Sequence, residues 1–423
     1  MHISKHTIAF ALLVVMTSAA SAGDKVKSGL PLQPLASTPT QLTIKGLPGK
    51  VYYVPSTLET IKWGYLPNAT DAPVLTVPSG ATVVFDTLSH EGLLEDQGRD
   101  PLAYFALHGV PARMVLQDAL AITGSAKAHD FSKDGPHIIT GPVAIDGAEP
   151  GDVLKVDVLA VQPRVPYGVI SNRHGKGALP GEFPQGAAPE PGASAAEPHK
   201  FHNVSVFTPI RKNRHGAWEA VLHNDQGVEI TFPTAPFMGV MGVAAPTAEL
   251  VHSVPPGVYG GNLDINDLGA GTSVYLPVFV KGAHFYTGDP HMAQGDGEVA
   301  LTALEHSMRA SFRLTLLKKG DPRIPSASGS LEKPFGETAQ HWITVGLNAD
   351  LDEAMKEAVR ESLRFLTEVL GMQPAVAYAY LSAAADYQVS QVVDRTKGVH
   401  GMIRKSDFAK VKKRIKNKLA WLK

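Results

Sequence analysis

The sequence predicts a mainly β protein that ends in a helical portion, and three observations carry that expectation. Gly 40 and Pro 32 among 423 residues mean frequent turns, which favours many short strands. Apolar and polar side chains alternate with period two along residues 153–159 and 311–317. Beyond residue 350 the apolar spacing changes to that of a helix. The length allows two or three domains, or one composite domain, with ample core.

Taken in order, residues 1–22 have the pattern of an export signal. Lys5 and His6 precede an apolar run, Ile8 to Met16, that is too short to span a bilayer, and small residues follow up to Ala20 and Ala22. The competing reading is a short buried helix. The expected product is a periplasmic or secreted protein released by cleavage near Ala22. Residues 23–50 form a Pro/Ser/Leu-mixed arm. Residues 51–165 are β-rich, with strands expected at 82–86 and at 153–159 after the turn Pro150-Gly151-Asp152. Residues 100–120 lack alternation and suggest a short helix. The 166–200 insertion is Pro/Gly/Ala-rich, and from Gly168 onward it is expected to form no regular element, only a long loop or lid.

Strands resume through 201–320, at 201–208, 218–223, 228–232, 273–280 and 311–317. In the helical portion, 321–423, Leu351, Met355, Val359, Leu363, Leu366 and Leu370 make one apolar stripe. Asp350 is the expected N-cap and Gly371 the C-cap. A second helix is expected over 374–394, and the basic tail 405–423 suggests a solvated terminal helix.

With 39 Lys+Arg against 40 Asp+Glu, the chain lacks the basic footprint of a nucleic-acid binder, so no such partner is expected. Zero cysteine excludes disulfides, thiolate metal sites and a thiol nucleophile. No later apolar stretch approaches the roughly 20 residues of a membrane span, and no stable membrane association is expected. The G-x-S-x-G elbow and the phosphate-binding glycine fingerprints are also missing. Hydrolysis by this chain would therefore use metal-activated water.

Four polar nodes stand out. Residues 282–298, GAHFYTGDPHMAQGDGE, pack His284, Asp289, His291, Asp296 and Glu298 among glycines that let the backbone fold tightly around a divalent metal. A plain surface loop is the competing reading, because no H-E-x-x-H spacing occurs. In Gly260-Gly261-Asn262-Leu263-Asp264 the glycines make a turn or allow close ligand approach, with Asp264 as a carboxylate ligand and Asn262 as a polar contact. His90 and Glu91 follow the 82–86 strand. His137 leads a strand, a position where histidine is more often structural.

The runs HIITGPVAIDGAEPGDVLKV from His137, GVYGGNLDINDLGAGTSVYLPVFVKGA from Gly257 and GDPHMAQGDGE from Gly288 resemble the acetamidase/formamidase family. PTAPFMGVMGVAAP from Pro233 and QVVDRTKGVHGMI from Gln391 add to the likeness. The resemblance implies hydrolysis of a short amide to carboxylate and ammonia. It also implies a β-sandwich plus a barrel-like β part with an α+β C-terminal portion, in homo-oligomers, a dimer first. A divalent metal is implied, zinc ahead of calcium. By position, Asp264 falls in the family's GGNxD motif, His291, Asp296 and Glu298 in GDxHxxxGDGE, and His137 in HxxTGP.

The resulting assignment gives the metal to Asp264, His291, Asp289 and Asp296. It gives catalysis to Glu298 as general base with His291 and His137, and substrate contacts to Asn262, Gly261, His90 and Glu91. The export signal and the 166–200 insertion depart from the family pattern and leave the substrate open between a formamide-like, acetamide-like or cyclic amide. Two alternatives remain: an exported binding protein on the same scaffold without hydrolysis, and a hydrolase of esters or lactams.

Overall fold

The protein is described here as a computed structural model covering residues 29–410. The export-signal pattern and the tail beyond Lys410 lie outside the described residues. Two large sheets face each other. The first is ordered 40–43, 50–54, 81–86, 308–317, 153–163, 273–277, 335–337, 341–348, 397–404 and 386–391. Its pairings are antiparallel except Lys50–Val54 on Ala81–Asp86. The second runs 229–233, 218–223, 204–212, 167–172, 304–305, 285–293, 237–242 and 260–262. Ile138–Ile145 joins its Phe285–Ala293 strand and carries Ile61–Trp63 and Leu75–Val77.

Period-two patterning puts one side of each strand into the layer between the sheets. Phe85, Val156, Phe312 and Leu314 from the first sheet meet Met238, Met241, Phe285 and Met292 from the second. Phe285 stands edge-on to Phe85 at 5.8 Å and to Phe312 at 5.4 Å. Each large apolar side chain buried in this way contributes about 1.5–3 kcal/mol. The mainly β sandwich is as expected, while among the described residues neither large sheet closes into a barrel.

Several local expectations are corrected. Residues 100–120 form two α-helical pieces, Pro101–Leu107 and the start of Gln117–Thr123, with a 3-10 turn at Ala112–Met114 between them, capping a separate apolar cluster with Val165, Tyr167 and Val169. The arm contains a strand, Thr40–Thr43. The insertion starts as strand Tyr167–Asn172, because Gly168 packs its bare Cα against Glu305 O, so the irregular part begins at Arg173. The second C-terminal helix stops at Ala384, where Asp386–Gln391 and Lys397–Arg404 make a hairpin on the first sheet.

The helix Leu351–Arg364 is capped by Asp350, whose side chain accepts from Glu353 N, and continues as a π turn over Phe365–Val369. Its buried face is Ala354, Ala358 and Ser362, while Met355 from the expected stripe is 39% exposed. The cause lies in the sheet. A Cβ on Gly346 would collide with Ala354 O, and one on Gly401 would meet Ser362 Oγ. The helix lies too close to the strands for large side chains, so small ones form the contact.

Candidate active site

The site is built around Phe285–Ala293. Asp289 and His291 are two apart on this strand and so share a face. On one edge, the register places Glu305 directly opposite His291. On the other, Met238 pairs with Pro290 and Val240 with Gly288, which sets Gly239 against Asp289. The far edge of Phe237–Gly242 carries Gly260–Asn262. Just past it, Leu263 N and Asp264 N both donate to Gly239 O, at 3.0 and 3.2 Å, which turns Asp264 inward. Asp394 arrives from the turn of the C-terminal hairpin, which is clamped to the site by Gly297 N donating to Val389 O at 2.7 Å.

These groups are buried together. His291 Nε2 lies 3.0 Å from Glu305 Oε1 and 3.1 Å from Asp289 Oδ2, while Nδ1 bonds Gln294 Oε1 at 2.9 Å. His137 Nε2 is 3.5 Å from Asp289 Oδ1, and its Nδ1 bonds Ser253 Oγ at 2.9 Å. His90 Nδ1 is 3.9 Å from both Asp289 and Glu305, and its Nε2 is 3.2 Å from Glu91 Oε1. Glu91 is held by Arg173 Nη2 at 2.9 Å, and Arg173 Nε binds Asp96 at 2.7 Å.

The electrostatics are those of crowded anions. Burial and the charge of Asp289 push Asp264 up to about 7. Burial takes Glu305 to about 7 even though His291 opposes the rise. Burial and Asp264 together lift Glu298 and Asp394 well above the carboxylate range. Asp289 goes the other way: against burial, His137 and His291 hold it ionised. Burial lowers His137 to about 4, whereas Glu305 and Asp289 outweigh burial and keep His291 protonated.

The residues fit a divalent cation. Both Asp264 oxygens, Asp289 Oδ1, Glu305 Oε2 and Asp394 Oδ2 are buried and accept no hydrogen bond. Such atoms are costly unless a cation or proton satisfies them. Asp264, Asp289 and His291 each offer one ligand atom, and these atoms lie within 4.8 Å of one another. Gly239 leaves open the hollow they face, which a methyl group would fill. The backbone is also strained here: Asp264, Asp289 and Glu298 have φ of 49°, 49° and 48°.

Most of the sequence-derived residues converge. Asp264, Asp289, His291 and Glu298 meet in the cluster, with His137 and His90 on Asp289 and Glu91 behind His90. Asn262 is buried at the cavity wall with its Oδ1 unpartnered, and Gly261 lies on the strand that delivers it. Asp296 is corrected: it is exposed and accepts from Asn266 Nδ2 at 3.0 Å, because Gly295 and Gly297 carry it around the outside of the turn. His284, half-buried near Asp71, lies apart from the cluster.

Sequence reasoning missed Glu305, Asp394, Arg173 and Gly239. Glu305 sits in a two-residue strand with no motif around it. Asp394 lies within the family-like segment from Gln391 and is the one acid in it. The cluster opens onto a cavity of about 610 Å³, with His174–Gly177, Pro180 and Pro189 of the insertion forming part of its wall.

Residues 124–254 and 247–403 match the Acetamidase/Formamidase family. A formamidase of Methylophilus methylotrophus is 29% identical over 223 residues, covering 44% of this chain and 52% of that protein. An acetamidase of Mycolicibacterium smegmatis is 28% identical over 260 residues, covering 51% of this chain and 62% of its own length. The chain thus spans about half the length of the curated relatives it matches. An acetamidase structure from Bacillus halodurans shares the fold, with a TM-score of 0.64 at 24% identity over 85% of this chain and 99% of that one.

Proposed function

Because this chain belongs to the acetamidase/formamidase family, we propose that it hydrolyses a primary carboxamide to a carboxylate and ammonia at the cluster around His291. The observation that carries the reading is the gathering of Asp264, Asp289, Glu298 and Glu305 around the His291 imidazole, with Asp394 against Asp264 and Glu298 and several buried oxygens lacking a donor. Asp264, Asp289 and His291 would hold a divalent cation. Bound there, such an ion polarises the amide carbonyl and lowers the pKa of water toward about 7. The imidazole nitrogen in the ligand set favours zinc over calcium.

Glu298 is the proton carrier. Ala303 N anchors its Oε1 at 2.9 Å, so the carboxylate is fixed in orientation. It takes a proton from the attacking water and delivers it to the departing nitrogen. Relief of the surrounding negative charge favours its ionised form, the state a base needs. His137, kept neutral by burial and oriented by Ser253, faces the cavity from the Asp289 side. Asn262 Oδ1 is placed to accept from the amide nitrogen of the substrate. The insertion wall limits bulk water around these groups.

Export belongs to the same proposal, supported by the residue 1–22 pattern, and homo-oligomer formation is carried over from the family. The test is ammonia release from a panel of primary amides, on protein purified without added metal and assayed before and after chelation. The expected result is activity lost with the metal and restored by zinc. Turnover in verified metal-free protein overturns the role of the ion, and no release from any amide overturns the hydrolase.

A further inference from the structure

The cavity above the cluster has two ends of opposite charge. Its inner end holds the carboxylates described above. Its mouth holds Arg395 and Lys176, both exposed, and neither forms an ion pair among the described residues. The neighbouring charges are spoken for: Lys133 pairs with Asp130 at 2.9 Å, and Asp134 accepts from Tyr65 Oη at 2.6 Å.

One turn supplies both ends. Asp394 is buried in the cluster, and the next residue, Arg395, has φ 64°, which turns its side chain out to the mouth. There Arg395 Nη2 lies 3.4 Å from His252 Nε2. Lys176 lines the same cavity from the insertion, and after burial its charge adds to that of Arg395 in lowering the His252 pKa, against Asp134. The two cations thus line one cavity from different segments, the hairpin turn and the insertion. The link back to the inner end is short, because His252 adjoins Ser253, the partner of His137.

Size points the same way. A cavity of about 610 Å³ is in the range that encloses ligands of many atoms, and a formamide or acetamide molecule would leave most of it to water. A guanidinium and an ammonium lining one cavity, neither in an ion pair among the described residues, suit a carboxylate, which Arg binds through two parallel hydrogen bonds.

We propose that the substrates are primary carboxamides whose carbon chain ends in a carboxylate, with the amide at the His291 cluster and the carboxylate on Arg395 and Lys176. This rests on the hydrolase reading. The reaction is R–CO–NH2 + H2O → R–COO⁻ + NH4⁺, with R bearing the second carboxylate. The C–N bond breaks, a C–O bond to the water oxygen forms, and the leaving nitrogen departs as ammonium.

The test compares succinamate, glutaramate and adipamate with their methyl esters, which keep the amide and the length but lose the charge. Ammonia release gives kcat/KM, and calorimetry gives binding to the same protein. At least one acid should exceed its ester by about tenfold, the size of one charge-assisted hydrogen bond, and the preference should shrink with added salt. Arg395→Gln and Lys176→Gln should each reduce that acid-to-ester ratio, and the double variant should remove it. Esters turned over as well as the acids, or a ratio unmoved by the double variant, overturn the proposal. If no amide is hydrolysed the hydrolase reading fails, yet calorimetry still decides the anion site: equal binding of acid and ester sinks it.

Discussion

Gly239 and Asp264 are in contact through a missing side chain: a Cβ on Gly239 would lie 2.4 Å from Asp264 Oδ1. The same atom would lie 2.7 Å from Asp289 Oδ2 and 2.9 Å from His291 Cε1. The glycine therefore holds open the space into which three proposed ligands point. Gly239→Ala should leave the sandwich folded but displace the ligands. Weakened support for a metal site typically costs about 10–100-fold in affinity or activity. Metal content and ammonia release should fall together, with an unchanged circular dichroism spectrum. Full metal occupancy in this variant would mean the hollow is not the ion site.

Glu298→Gln removes the proposed proton carrier while keeping its shape and its contact with Ala303 N. General acid–base groups contribute about 10²–10⁴-fold. Turnover should fall by that order with KM nearly constant. A variant that turns over at the parent rate shows that another group moves the proton.

The carboxylate crowding has a sign that pH can read. Folded-state values of about 7 for Asp264 and Glu305 lie above their ordinary 3.8 and 4.5. Between those limits the folded metal-free chain holds more protons than the unfolded chain. That contribution is complete below the ordinary carboxyl range and is lost as pH rises through about 7, and the raised His291 acts in the same direction. Chelated protein should therefore melt lower at about pH 8 than at about pH 6. Metal-loaded protein should lose that trend, since deprotonated ligands bind the ion better. A chelated sample that gains stability over this interval contradicts the picture.

Arg173 is the only arginine or lysine bonded to the buried Glu91 and Asp96 among the described residues. Arg173→Met leaves both buried acids without the guanidinium that bridges them, a loss that typically costs about 3–5 kcal/mol. Denaturant unfolding should show a drop of that order. Little change would mean that water or a proton already compensates the acids.

Asp296 offers the complementary case. Exposed and bonded to Asn266, it should tolerate Asp296→Asn with metal content and turnover intact and stability within about 0.5 kcal/mol. Loss of metal on this change would restore Asp296 to the ligand set.

The strands could be read from the chain because side-chain alternation is local. Val153–Pro163 and Met308–Leu317 show it, and so does the pairing of Asp289 with His291 on one face. The stripe on Leu351–Arg364 could not be placed the same way. Gly346 and Gly401, distant in sequence, determine which face can approach the sheet.

By itself the sequence pointed to the β-rich class, the family motifs and four residues, Asp264, Asp289, His291 and Glu298, that meet in the candidate site. Only the tertiary structure brought in Glu305, through its register opposite His291, and Asp394, through the docking of the last hairpin. It also turned Asp296 outward and walled the cavity with the insertion. The reason is one of range: spacing along a strand decides which residues share a face, whereas register and docking decide which faces meet.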